Sequence, residues 1–141
     1  MSNKICIIGL GYVGLPLAVA FAEKFQVVGF DINQSRISEL ENGHDRTFEI
    51  SDGLLSSIKN NITYTADIQD AKDCNIYIVA VPTPIDKKNQ PDLTWLIESS
   101  KTVGSILNQG DIVIYESTVY PGATEDICVP ELEKLSNMKF N

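Results

Sequence analysis

Short apolar runs alternate with amphipathic stretches along the whole chain, and this rhythm predicts strands alternating with helices. Ile5-Cys6-Ile7-Ile8, after Lys4, is apolar but brief, and Gln26 to Phe30, Asn75 to Val81 and Ile112 to Tyr115 repeat the pattern. The run from Asn75 is rich in β-branched residues and nearly continuous in hydrophobicity, as suits a central parallel strand covered on both faces. Ile112 to Tyr115 reads as another buried strand, and Ile62-Thr63-Tyr64 as a shorter one. Helical spacing predicts helices from Tyr12 to about Lys24, Gln34 to Asn42, and Thr124 to Leu135. A further helix carries Leu93 to Leu107, with Asp92 as its N-cap and Gly110 beyond its end. Ser51-Asp52-Gly53 caps a short helix with Leu54, Leu55 and Ile58, and Asp67 opens a single turn. Met138 to Asn141 reads as the opening of another strand. The fold class this specifies is α/β, a doubly wound and mainly parallel sheet of Rossmann type with helices on both faces.

The first strand and helix are joined by Gly9-Leu10-Gly11-Tyr12-Val13-Gly14, a G-x-G-x-x-G spacing. In that setting Gly9 makes the tight turn, Gly11 lets backbone approach a pyrophosphate, and Gly14 lets helix and strand pack closely. Unpaired N–H groups at the helix start attract anions without any basic side chain. The same stretch is uncharged from Ile5 to Ala22, like a secretory leader. Gly9, Gly11, Gly14 and Pro16 interrupt it too often for a leader, so a cytoplasmic domain is expected, with no membrane span. Asp31 ends the second strand, 17 residues after Gly14. It falls where a dinucleotide fold places its ribose-binding acid, although a cap for the next helix is the plainer role for an Asp. Arg36 is either a solvated helix charge or a guanidinium over adenine or ribose. Asp31 would repel a 2′-phosphate, which favours NAD over NADP.

At 141 residues one domain is expected, with no repeat or linker. The 11 basic and 19 acidic residues sum to a charge of −8, which argues against a nucleic-acid partner. Cys6, Cys74 and Cys128 are odd in number and widely spaced, so neither a disulfide framework nor a metal site is expected. Cys6 and Cys74 read as small buried hydrophobes, Cys128 as a helix residue, His44 as a loop histidine and Trp95 as packing. Two loops leave the carboxyl ends of predicted strands, where ligands of open α/β sheets collect. In Val81-Pro82-Thr83-Pro84, Thr83 serves either a rigid turn or a cofactor contact. In Glu116-Ser117-Thr118-Val119-Tyr120-Pro121-Gly122, Ser117 and Thr118 either cap the following helix or offer hydroxyls to the same mouth.

With these motifs together, the chain resembles the UDP-glucose/GDP-mannose dehydrogenase family over essentially its whole length. It looks most like the bacterial branch that oxidises UDP-N-acetylhexosamines to uronic acids for surface polysaccharides. The resemblance implies Tyr12 and Val13 against the pyrophosphate of NAD, and Asp31 and Arg36 at the adenosine ribose. It also implies Pro82, Thr83, Ser117 and Thr118 toward the nicotinamide, with Thr118 helping to position a catalytic water. In the family, two NAD are reduced per sugar through a nucleophilic cysteine, which none of the three cysteines here matches. The UDP moiety binds a C-terminal domain, and the enzymes are homodimers or larger. Residues 1–141 are thus expected to be the cofactor domain of a longer enzyme, binding NAD without turnover. The alternatives are the cofactor domain of a β-hydroxyacid dehydrogenase and a regulatory module that binds a dinucleotide without chemistry.

Overall fold

The computed structural model describes residues 3–116 and 123–139. Five strands, β1 (Lys4–Ile8), β2 (Gln26–Phe30), β3 (Ile62–Thr65), β4 (Ile76–Val79) and β5 (Ile112–Tyr115), form one sheet in the order β3-β2-β1-β4-β5. Every pairing is parallel, with Ile5 opposite both Val27 and Ile76 in the central register. Parallel neighbours need long crossovers, and helices supply them. These are α1 (Gly14–Ala22), α2 (Gln34–Glu41), α3 (Asp52–Ile58) and α4 (Thr94–Gly104), with α5 (Val129–Ser136) following β5.

Side chains alternate across β1, and the two faces carry two cores. Ile5 and Ile7 join Leu15, Ala18, Val19, Ile37, Leu40, Leu55 and Ile58, so α1, α2 and α3 cover one face. Cys6 and Ile8 join Val28, Tyr77, Val79, Leu96, Val103, Cys128 and Leu132, so α4 and α5 cover the other. Truncating a buried aliphatic such as Ile7 to Ala would cost about 2–5 kcal/mol. The Tyr77 hydroxyl escapes the penalty of burial by donating toward the carbonyls of Ala71 and Cys74, at 3.1 and 3.0 Å. Burial pushes that phenol well above its ordinary pKa.

Several expectations need correction. α1 begins at Gly14, so Tyr12 and Val13 belong to the loop before it, and both are exposed. β5 is an edge strand of the described sheet, and Ile112 and Ile114 are open to solvent because the core under α1, α2 and α3 reaches their neighbours Ile76 and Ile78 on β4 and no further. α4 ends at Gly104, well short of Leu107, and its N-cap position is Leu93. Asp92 still helps to start it, since its carboxylate accepts from the N–H and hydroxyl of Thr94. The helix expected from Thr124 opens with a π-helical turn, Thr124–Cys128, before α5. Met138 and Lys139 form no strand. Trp95 is 44% exposed, so it packs only in part.

The geometry of a dinucleotide site

The strand order reverses beside β1. The chain leaves β1 toward β2 and β3, then returns to the other side of β1 as β4, so a crevice opens between the carboxyl ends of β1 and β4. Open α/β sheets bind ligands at such a switch point. The glycine loop starts there. Gly9 has φ of 96°, a backbone state that L side chains rarely adopt, and its N–H donates to Phe30 O at 2.8 Å. Its α-carbon faces the carbonyl of Ala80 and the side chain of Val81, so the glycine and proline loops leave the sheet side by side.

The other two glycines divide the labour in a way the spacing alone does not show. A Cβ at Gly14 would lie 1.6 Å from Gly9 O, so this position serves the close approach of α1 to the loop. A Cβ at Gly11 would meet nothing within 4 Å. Packing therefore gives no reason for glycine at this position, whereas backbone approach by a ligand does. Tyr12, 69% exposed, flanks that opening.

Asp31 holds the loop from the end of β2. One carboxylate oxygen accepts from the Leu10 N–H at 3.0 Å and the other from the Asn33 N–H at 2.9 Å. The cap of α2 is Asn33, whose side chain accepts from the N–H groups of Ser35 and Arg36. An Asn immediately before the first helical residue carries that signal in the sequence.

Arg36 is not a solvated helix charge. It is only 4% exposed, and its Nε donates to Leu10 O at 2.8 Å. Its Nη1 donates to Glu39 and Asp45, both at 2.8 Å, while Nη2 is buried without a hydrogen-bond partner among the described residues. Asp45, 1% exposed, also accepts from the N–H and hydroxyl of Thr47 and the N–H groups of Glu49 and Ile50. Burial opposes its ionisation, but the Thr47 hydroxyl, the Arg36 guanidinium and these N–H groups outweigh burial and hold the carboxyl well below its usual range. Nearby, burial pushes the Tyr64 phenol up to about 12, partly offset by the charge of Arg36.

On the other side of the crevice Pro82 is exposed and Thr83 half-buried, in irregular backbone after β4. The loop beyond is closed by a bridge between Ile85 and Pro91, with the Asp86 carboxylate accepting from the N–H groups of Lys88 and Gln90. The Glu116 N–H donates to Val79 O at 2.8 Å, which brings the exit of β5 beside that of β4. Ser117 and Thr118 lie outside the described residues. A groove of about 750 Å³ runs between the open edge of β5 and α5, but none of the glycine-loop residues lines it. It is the uncovered flank of the sheet and no part of the crevice.

The remaining candidates for chemistry lie elsewhere. All three cysteines are buried. Burial raises the pKa of Cys128, against the hydrogen bonds of Ser100 and Tyr115 that lower it, so its thiol is not an activated nucleophile. His44 is exposed and pairs with Asp52 at 3.2 Å, away from the glycine loop.

A five-stranded parallel sheet, a glycine loop at its switch point and an acid ending β2 define a dinucleotide-binding domain of Rossmann type. The model of the UDP-glucose/GDP-mannose dehydrogenase family NAD-binding domain matches residues 3–141, and the chain belongs to that family. NAD is accordingly its cofactor, and the open face at Gly11 beside Asp31 fits it. The UDP-N-acetyl-D-glucosamine 6-dehydrogenases of Pseudomonas aeruginosa and Salmonella typhi are 56% and 57% identical to it over 138 residues. Those matches take in 98% of this chain and 32% of each relative, so the chain spans about a third of their length. A UDP-D-ManNAc dehydrogenase structure from Pyrococcus horikoshii superposes with a TM-score of 0.92 at 34% identity, covering 98% of this chain and 34% of that one.

Proposed function

We propose that the protein to which this chain belongs is a nucleotide-sugar 6-dehydrogenase. It oxidises the C6 alcohol of a UDP-N-acetylhexosamine, either UDP-N-acetylglucosamine or UDP-N-acetylgalactosamine, to the uronic acid with two NAD. The observation that carries the reading is a glycine loop open at Gly11 and braced by Asp31, in a chain 56% identical to a UDP-N-acetyl-D-glucosamine 6-dehydrogenase. When bound, NAD accepts hydride from the sugar carbon. Residues 1–141 hold the cofactor and leave the sugar to a further domain that supplies the nucleophilic cysteine.

In this reading the N–H groups and open backbone of Gly9 to Gly14 take the pyrophosphate, with Tyr12 and Val13 against it. Asp31 receives the adenosine ribose and Arg36 lies behind it. Pro82, Thr83, Ser117 and Thr118 border the nicotinamide, and Thr118 orients the water that releases the product. The whole enzyme is a cytoplasmic homodimer or larger assembly serving polysaccharide synthesis. No described helix is long and apolar enough to cross a membrane.

The test is to supply the full-length protein with NAD and each UDP-N-acetylhexosamine, and to measure the reduced cofactor and uronic acid formed. Two NADH per uronic acid with one of these sugars is expected. NAD binding with no reduction by either, or reduction with GDP-mannose alone, would contradict it.

A further inference from the structure

Leu10, the middle residue of G-x-G, has both backbone groups clamped from outside the loop. Its N–H is held by Asp31 and its carbonyl by the Arg36 Nε. Because a trans peptide is planar, with C=O and N–H pointing opposite ways, fixing the Leu10 carbonyl also fixes where the Gly11 N–H points. That N–H makes no hydrogen bond to another described residue and, opposite the Leu10 carbonyl, points away from the Arg36 guanidinium. The aim of a phosphate donor is thus set by a buried guanidinium.

The guanidinium is itself set by Asp45. The carboxylate of Asp45 is fully buried, binds Arg36 Nη1 at 2.8 Å and gathers Thr47, Glu49 and Ile50 around its two oxygens. Glu39 grips the same Nη1 from the helix, yet it is more exposed. A buried ion pair is poor value as stabilisation alone, since apolar residues of similar volume serve as well or better. Its worth lies in holding one geometry.

Resting on NAD binding at the glycine loop, we propose that Asp45 is a positioning residue for the pyrophosphate of NAD, acting through Arg36 on the Leu10–Gly11 peptide. The 45–50 segment is then a functional part of the cofactor site, although it belongs to neither the glycine loop nor a strand end.

The experiment is a fluorescence titration of the full-length protein with NADH, with a melting curve for each variant. Asp45→Ala should weaken NADH about tenfold, the size expected when one charged hydrogen bond is lost. In an Arg36→Leu background the same change should cost less than about twofold, because coupled residues do not add. Asp45→Asn keeps the shape and serves if Asp45→Ala does not fold; it should weaken NADH in the wild-type background and not in Arg36→Leu. Ser51→Ala removes the cap of α3, which accepts from the Leu54 N–H and touches neither Asp45 nor Arg36, and should lower the melting temperature while leaving NADH affinity within about twofold. Equal losses of affinity in both backgrounds would overturn the proposal, as would Ser51→Ala weakening NADH in step with its lost stability. Wild-type affinity in folded Asp45→Ala or Asp45→Asn would do the same. Wild-type protein that binds no NADH at all would instead remove the NAD reading, and this proposal with it.

Discussion

The two flanks of the switch point are built differently. On the β2 side the glycine loop is braced from outside: Asp31 and Arg36 hold Leu10, Asn33 caps α2, and Asp45 and Glu39 hold Arg36. On the β4 side the wall is a proline-bracketed loop with Pro82 exposed, followed by a loop closed mainly on itself. Beyond it β5 is the edge strand of the described sheet. A flank braced in advance binds its half of a ligand with little ordering cost, whereas one shaped mainly by loops leaves that cost to be met on binding. The adenosine and pyrophosphate half of NAD should therefore supply most of the affinity this domain has by itself.

The largest effect expected on this comparison comes from Gly14. With a Cβ only 1.6 Å from Gly9 O, Gly14→Ala cannot be absorbed by a rotamer change. It should destabilise the domain by at least about 3 kcal/mol in urea unfolding, since α1 must move off the loop.

Next comes Asp45, where stability and pH are linked. Its folded carboxyl is held below the ordinary carboxylate value, so its contribution is full above about pH 4 and is lost as pH falls further. Asp45→Asn should cost about 3 kcal/mol at neutral pH, because it leaves the buried Arg36 with Glu39 alone. The gap between variant and wild type should narrow between about pH 4 and pH 2, which urea melts at stepped pH will measure. An unchanged gap would mean that Asp45 is not the titrating partner.

The smallest effect belongs to the β4 flank. Thr83→Val should change melting temperature little and weaken NAD by no more than about threefold in calorimetry, the loss of a single neutral hydrogen bond. A larger loss of affinity than that of Asp31→Ala would reverse the comparison.

Much of this was legible in the chain. The apolar run at Ile5 to Ile8, the glycine spacing and Asp31 together predict the strand, loop and acid that the fold shows at its switch point. What escaped was long-range. Arg36 reads as a helix charge or a cofactor contact and not as a brace, because its partners Leu10 O and Asp45 lie 26 and 9 residues away, and only the fold brings them together. Asp45 followed two residues later by Thr47 carries a local Asx-turn signal, but nothing local says which cation it meets. β5 reads as buried because Ile112-Val113-Ile114-Tyr115 is apolar throughout, and apolarity does not say whether a strand ends up central or at an edge. The π-helical turn at Thr124–Cys128 has no residue signature distinct from an α-helix.

The central claim is that Gly11 is glycine for the sake of the cofactor, while Gly14 is glycine for the sake of the fold. Calorimetric titration of Gly11→Val with NAD, beside its urea melt, addresses this most directly. The protein around Gly11 leaves room for the side chain, so stability should stay within about 0.5 kcal/mol of wild type. NAD binding should be lost. A folded Gly11→Val protein that binds NAD with wild-type affinity would contradict the placement of the pyrophosphate on this loop.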